Sequence, residues 1–167
     1  MSTKLSGMGE PRWLSDAEYR AWIGYRRMRL LLDAQIARDL ARDSGLSSAD
    51  YDVLSKLSEE DGRRFRLSAL AARMLWSKSR LSRHISRMEE RGLVLREDSP
   101  DDGRGAEIVL TARGVRAIVE AAPDHVTSVR RHFIDLLTPE ELRVLGNVAE
   151  RVLALLPEGG DDLGQPG

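Results

Sequence analysis

One change of period governs what this chain can fold into. From Ser15 to Gly92 apolar residues recur at helical spacing, but Val94-Leu-Arg96 and Ala106 to Leu110 are short strand-like runs. Between them lies Ser99-Pro-Asp-Asp-Gly103, dense in turn-forming residues. After Leu110 the helical period returns. Two short strands cannot hold a core of their own, so the hairpin must pack against helices.

The helices are marked by their ends. Ser15 with Glu18 is a capping box. Tyr19, Trp22, Ile23, Arg26, Leu30 and Ala34 follow at helical spacing, and Ile36 and Leu40 extend the apolar surface. Nothing breaks this helix before Gly45, which makes it roughly 28 residues long against a typical 11–12. Leu30, Leu31 and Leu32 spread apolar surface around it, more than one small partner covers, so an intersubunit helix is expected. Ser47 and Asp50 start a second helix with Tyr51, Leu54 and Leu57 on its buried stripe. Asp61-Gly62 reads as a loop, and Leu67, Leu70, Ala71 and Met74 as a short third helix. Ser77 caps a fourth, with Leu81, Ile85 and Met88 inward and Arg91-Gly92 at its exit. Thr111 caps a fifth, in which Pro123 is expected to force a kink or restart near Ala121-Ala122. Thr138-Pro-Glu-Glu141 is a complete start for a sixth. From Pro157 onward the Gly- and Asp-rich chain is expected to be disordered.

Composition excludes several classes. The 167 residues are 41% hydrophobic and 32% charged, a globular balance with no run of about 18 apolar residues that could span a membrane. No signal-like apolar segment opens the chain, and the cytoplasm is the expected compartment. With no cysteine, thiolate catalysis, thiol redox sensing and cysteine–zinc sites are ruled out. No Ser-His-Asp order, paired-carboxylate cleft or phosphate loop is evident, so neither an enzyme nor a cofactor is expected. His125 and His132 are seven apart on one helix, about 10 Å along its axis, too far to share a metal ion unaided.

The net charge of −1 conceals segregation. Arg63, Arg64, Arg66, Arg73, Lys78, Arg80, Arg83 and Arg87 form an acid-free run of +8, which leaves −9 on the rest of the chain. Such a run is either a solvated helix face or the footprint of a polyanion. A short helix, a tight turn, a basic helix and a hairpin make a winged helix-turn-helix. The expected fold is therefore mainly α with a small β-wing, joined to long terminal helices that form a dimerisation region. The expected boundaries are an extension over 1–14, helical dimerisation segments at 15–46 and 112–156, a DNA-binding domain over 47–111 and a tail over 157–167.

Five motifs in order make the likeness specific: Leu67-Ser-Ala-Leu-Ala71, Ser77-Lys-Ser-Arg-Leu-Ser82, Glu89-Glu-Arg-Gly-Leu-Val94, Asp101-Asp-Gly-Arg-Gly105 and Leu110-Thr-Ala-Arg-Gly114. Over residues 15–156 the chain resembles the MarR family of bacterial transcriptional regulators. The resemblance implies a homodimer that binds a palindromic operator in double-stranded DNA, usually as a repressor, and is often released by a small-molecule effector. Small aromatic acids are the effector class to test first. Members that sense peroxide through cysteine are no guide to this chain.

The residues give their own reading of a DNA site. Ser79, Arg80, Arg83, His84 and Arg87 are expected on one exposed face of the fourth helix, opposite Leu81, Ile85 and Met88. Arg on such a helix can donate two hydrogen bonds to guanine in the major groove. Ser77, Ser79 and Ser82 suit phosphate oxygens or base edges, Lys78 adds charge at the helix start, and Ser77 is equally a plain cap. On the wing, Arg104 between Gly103 and Gly105 suits a narrow minor groove, with Asp101 or Asp102 bracing it. Arg66, with Arg63 and Arg64, is expected against backbone phosphates rather than bases. Trp22, Arg26, Tyr51 and His125 are either core or interface residues, or the lining of an effector pocket. The alternative function is a winged-helix module for protein contacts with no operator. The basic run argues against it, because a protein-contact face has an apolar or aromatic centre.

Overall fold

The computed structural model describes residues 11–98 and 105–156. The elements in chain order are helix α1 (Asp16–Ser44), α2 (Ser48–Glu59), a 3-10 turn (Asp61–Arg63), strand β1 (Arg64–Arg66), α3 (Leu67–Arg73), α4 (Lys78–Glu90), β2 (Val94–Asp98), β3 (Ala106–Leu110), α5 (Ala112–His132), a 3-10 turn (Ile134–Leu136) and α6 (Pro139–Leu153). The chain divides into two compact units, residues 1–35 and 36–167.

The described part of the first unit holds the N-terminal part of α1. The Ser15 amide donates to Glu18 Oε2 at 2.8 Å, and Ser15 Oγ accepts from the Glu18 amide at 3.4 Å, so the expected capping box is present. Trp22 stacks on Tyr25 at 6.1 Å between centroids, and Arg26 lies 5.9 Å from the Trp22 ring. Trp22, Leu30 and Leu31 are exposed, Leu30 by 70%.

The second unit contains the core. Leu54 and Leu57 of α2, Leu70 of α3, Leu81, Ile85 and Met88 of α4 and Ile108 of β3 are fully shielded from solvent. Both other expected capping boxes exist, Ser47 with Asp50 and Thr138 with Glu141. The sheet is antiparallel in the order β1-β3-β2, with Arg64 opposite Val109, Arg66 opposite Glu107, and Val94 opposite Leu110. The wing therefore has a third strand, β1, where the sequence reading had only a loop and a basic stretch. Arg64 on that strand is bound between Glu107 (3.1 Å) and Glu97 (3.3 Å), so sheet acids engage a charge counted in the basic run.

One other expectation changes. α5 runs unbroken through Pro123 and does not restart there. It ends at His132, with Phe133 as its C-terminal cap. The anticipated tail and most of the N-terminal extension lie outside the described residues.

The junction between α4 and α5 is closed by backbone. Gly92 has φ +70°, which turns the chain out of α4. Thr111 Oγ1 reaches the carbonyls of Gly92 (2.7 Å) and Leu93 (3.0 Å) as donor and accepts from the Gly114 amide at 2.9 Å. A Cβ on Gly114 would lie 2.1 Å from the Leu93 oxygen and 2.6 Å from a Leu110 methyl. Because backbone cannot yield as a flexible side chain does, Gly114→Ala is expected to cost about 3 kcal/mol or more. Urea denaturation checks this; a loss within the range of ordinary surface substitutions, about 0.5 kcal/mol, would mean the junction can relax.

Candidate nucleic-acid interface

α4 begins at Ser77, whose Oγ accepts from the Arg80 amide at 3.3 Å and lies 3.3 Å from Ser79 Oγ. Thus the serine caps the helix whatever else it touches. Lys78, Ser79, Arg80, Arg83 and Arg87 are exposed, while Leu81, Ile85 and Met88 are buried. The helix contains no acid before Glu89. Its outer face therefore offers four cations above an apolar base, a form that fits the major groove.

Three expected residues sit differently. His84 is only 7% exposed and lies beneath the basic face. Its Nδ1 is 2.9 Å from Arg87 Nη2, and its Nε2 is 3.1 Å from Asp50 Oδ1, an approach not aligned as a regular hydrogen bond. The helical period put residue 84 on the border of the two faces, and Asp50 draws it inward. Ser82 is half-buried, and Arg96 Nη2 donates to its carbonyl (2.6 Å) and to its Oγ (3.3 Å). Arg80 is exposed but its guanidinium lies over the Trp76 ring, 4.0 Å from the centroid, a cation–π contact that sets its direction. Arg66 is exposed and interacts with other groups. Asp102 and Arg104 lie outside the described residues.

The sequence reading missed two supports for this face. Trp76 stands four residues before Arg80, so aromatic–Arg spacing was the available signal. Arg96 on β2 clamps the wing to α4. Its Nη1 is 3.2 Å from Glu89 Oε2, its amide donates to Glu89 Oε1 at 2.9 Å, and its Nη2 also donates to Ser86 Oγ at 3.2 Å. No local pattern announces that clamp, because its partners are seven to fourteen residues away on another element.

Two buried carboxylates hold the helices around the site. Asp50 Oδ2 accepts from the Ser47 amide at 3.0 Å and from Arg91 Nη1 at 2.7 Å. Burial raises the Asp50 pKa, but Arg91 and Ser47 outweigh it and hold the carboxyl below its ordinary range. Asp39, near the end of α1, accepts from Ser128 Oγ at 2.7 Å, lies 2.9 Å from His132 Nε2, and pairs with Arg42 at 2.9 Å. The Ser128 hydrogen bond, helped by His132 and Arg42, keeps that carboxyl well below the usual carboxylate range.

The four residues considered for an effector fall into two pairs. Trp22 and Arg26 are neighbours in the first unit, as described. In the second unit Tyr51 and His125 lie with ring centroids 4.2 Å apart, and His125 Nδ1 is buried with no hydrogen-bond partner among the described residues. No group of three or more metal-ligating side chains occurs among the described residues, and no described helix is long and apolar enough to cross a membrane.

A basic helix after a tight turn, backed by a three-stranded wing, defines a winged helix-turn-helix DNA-binding protein. A family model for the MarR family matches residues 44–105. AbsC, a MarR family transcriptional regulator from Streptomyces coelicolor, is 44% identical over 86% of this chain and 97% of its own, with a TM-score of 0.81. Sco3205 from the same organism, solved in complex with DNA, is 39% identical over 91% of this chain and 96% of its own, with a TM-score of 0.84. The transcriptional regulator HosA of Escherichia coli O111:H- is 28% identical over 129 residues, 77% of this chain and 93% of that protein. The chain belongs to the MarR family, and it is a DNA-binding transcriptional regulator rather than an enzyme.

Buried His84 and half-buried His125 are expected to give stability a pH response. Burial holds His84 below the ordinary histidine value of 6.5, with Asp50 partly offsetting and Arg87 reinforcing the shift. Burial lowers His125 in the same way, against Asp52. A depressed folded-state pKa means that stability is present above about 6.5 and is lost as pH falls, because the unfolded chain takes up protons that the folded histidines refuse. Urea titrations at pH 7.5 and 5.5 should show stability falling with pH. The fall should be smaller in His84→Asn or His125→Gln and smallest in the double variant; an unchanged fall in all three would contradict this assignment.

Proposed function

We propose that this regulator is a repressor that binds a palindromic operator as a homodimer in the cytoplasm and is released by a small-molecule effector. The observation that carries the DNA reading is the outer face of α4, where Lys78, Arg80, Arg83 and Arg87 stand together with no acid among them. In this reading Arg83, mid-face, reads a guanine edge, and Ser77, Ser79 and Lys78 meet the backbone at the helix start. Arg66 adds a phosphate contact. Arg104 enters the minor groove, and Asp102 is counted with it at the wing. Residues 47–111 then form the DNA-binding domain.

Residues 15–46 and 112–156 form the dimerisation region in the same proposal. Its support is apolar surface left uncovered in one chain. Trp22, Leu30 and Leu31 on α1 and Leu145, Val148 and Val152 on α6 are all exposed. For the effector, Tyr51 with His125 offers an aromatic wall and an unsatisfied ring nitrogen that suit an aromatic acid, and Trp22 with Arg26 offers an aromatic–cation pair. Thermal-shift measurements with small aromatic acids test that element, since a ligand of the folded state raises apparent stability.

DNA binding is expected to be steep in salt. With about half of the sixteen run charges of a dimer meeting phosphate, log K should fall against log salt with a slope of about −6 to −8. The measurement uses a duplex recovered by selection from a random library; a slope shallower than about −3 would mean that the basic face is not a DNA footprint.

Sedimentation at micromolar concentration should show a dimer, and Leu30→Glu or Leu145→Glu should give aggregated or unfolded protein. A stable, folded wild-type monomer would overturn the assembly.

A further inference from the structure

We propose that His84 is a positioning residue for DNA binding: from beneath the basic face it holds Arg87 in the orientation that meets DNA. The inference rests on the reading of α4 as the DNA-contacting helix and adds a hidden support to it. Arginine carries only donors, so the 2.9 Å contact from Arg87 Nη2 requires His84 Nδ1 to be an acceptor. A neutral ring then bears its proton on Nε2, which is the nitrogen that lies 3.1 Å from Asp50 Oδ1. Asp50 Oδ1 faces that nitrogen as a nearby negative charge rather than as an aligned acceptor, because Ser47 and Arg91 engage its other oxygen. The histidine is thus oriented from both sides, with the Trp76 ring edge-on to it at 5.5 Å and 89°.

Arg87 is held at two points as a result. Its Nη2 meets His84, and its Nη1 donates to the Arg83 carbonyl at 3.3 Å. The side chain remains exposed, and a long side chain already fixed loses less conformational freedom on binding than a free one. Trp76 touches both systems, with Arg80 over its face and His84 at its edge. One aromatic residue in the turn therefore connects the supports of two outward arginines.

The arrangement has a directional consequence. Protonation of His84 would place an N–H on Nδ1 against the Arg87 N–H and add a positive charge beside Arg87 and Arg91, opposed by Asp50. The Arg87 contact would be lost. A surface histidine on a DNA face strengthens DNA binding on acidification, because it adds positive charge. His84 should do the reverse.

The test is a double-mutant cycle with His84→Leu and Arg87→Ala, read as affinity for a duplex selected by the wild-type protein. Arg87→Ala should weaken binding, and His84→Leu should weaken it about three- to tenfold in the wild-type background and hardly at all in the Arg87→Ala background. His84→Asn, whose amide oxygen can replace Nδ1 as acceptor, should retain most of the affinity. Additive losses in the cycle would overturn the positioning role, leaving the reading of α4 intact. If Arg87→Ala binds like wild type, the placement of Arg87 on DNA fails and the proposal fails with it. Should His84→Leu not fold, the pH dependence decides. Wild-type affinity falling between pH 7.5 and 5.5, with His84→Asn indifferent, supports the role, and equal dependence in both overturns it.

Discussion

The approach of Gly114 to the Leu93 carbonyl is the contact on which the wing depends. Only a residue without Cβ allows α5 to start there, and Thr111 then ties the same carbonyls to the first turn of the helix. This sets the distance between the exit of α4 and the start of α5. β2 leaves from one side of the junction and β3 returns to the other, so their register, Val94 opposite Leu110, is fixed at the base of the hairpin. The Glu-Arg-Gly-Leu-Val and Leu-Thr-x-x-Gly motifs are thus two halves of one contact. Their joint appearance at this spacing is informative because neither half closes without the other.

Asp50 organises the opposite edge of the second unit. It caps α2, receives Arg91 from the end of α4 and lies against His84 from the middle of α4. A carboxylate this deeply buried is tolerable only when fully partnered. The same set of partners then aligns α2 with α4. Arg96 does the equivalent work on the wing side through Glu89, Ser82 and Ser86. The basic helix is accordingly clamped from both flanks by polar contacts, while Leu81, Ile85 and Met88 hold it from below.

What was legible in the sequence follows from range. Capping boxes at Ser15, Ser47 and Thr138 are bonds between residues three apart, and all three are present. The apolar stripe of α4 is equally local. β1 was not legible, because three residues acquire strand character only by pairing with β3 some forty residues later. His84 misled for a related reason. Its helical position is ambiguous, and the deciding partner, Asp50, comes from another helix. Pro123 removes one helical hydrogen bond, but the carbonyl it strands belongs to Val119, whose side chain is on the solvent side, so α5 continues.

Charge shows how folding refines a count of residues. The basic run extends from Arg63 to Arg87, and Arg91 and Arg96 follow it. Folding sorts seven of these cations into two groups. Arg64, Arg91 and Arg96 are drawn to Glu97 and Glu107, to Asp50, and to Glu89, and they serve structure. Lys78, Arg80, Arg83 and Arg87 face outward along one helix, and the contacts that Arg80 and Arg87 make are to uncharged groups: an indole face, an imidazole nitrogen and a backbone carbonyl. Such partners orient a guanidinium without neutralising it. A carboxylate in the same place would fix the side chain as firmly and cancel the field that draws phosphate. Neutral supports under the outer face, with acids engaging the arginines beside it, are what let a chain of net charge −1 carry a positive helix face.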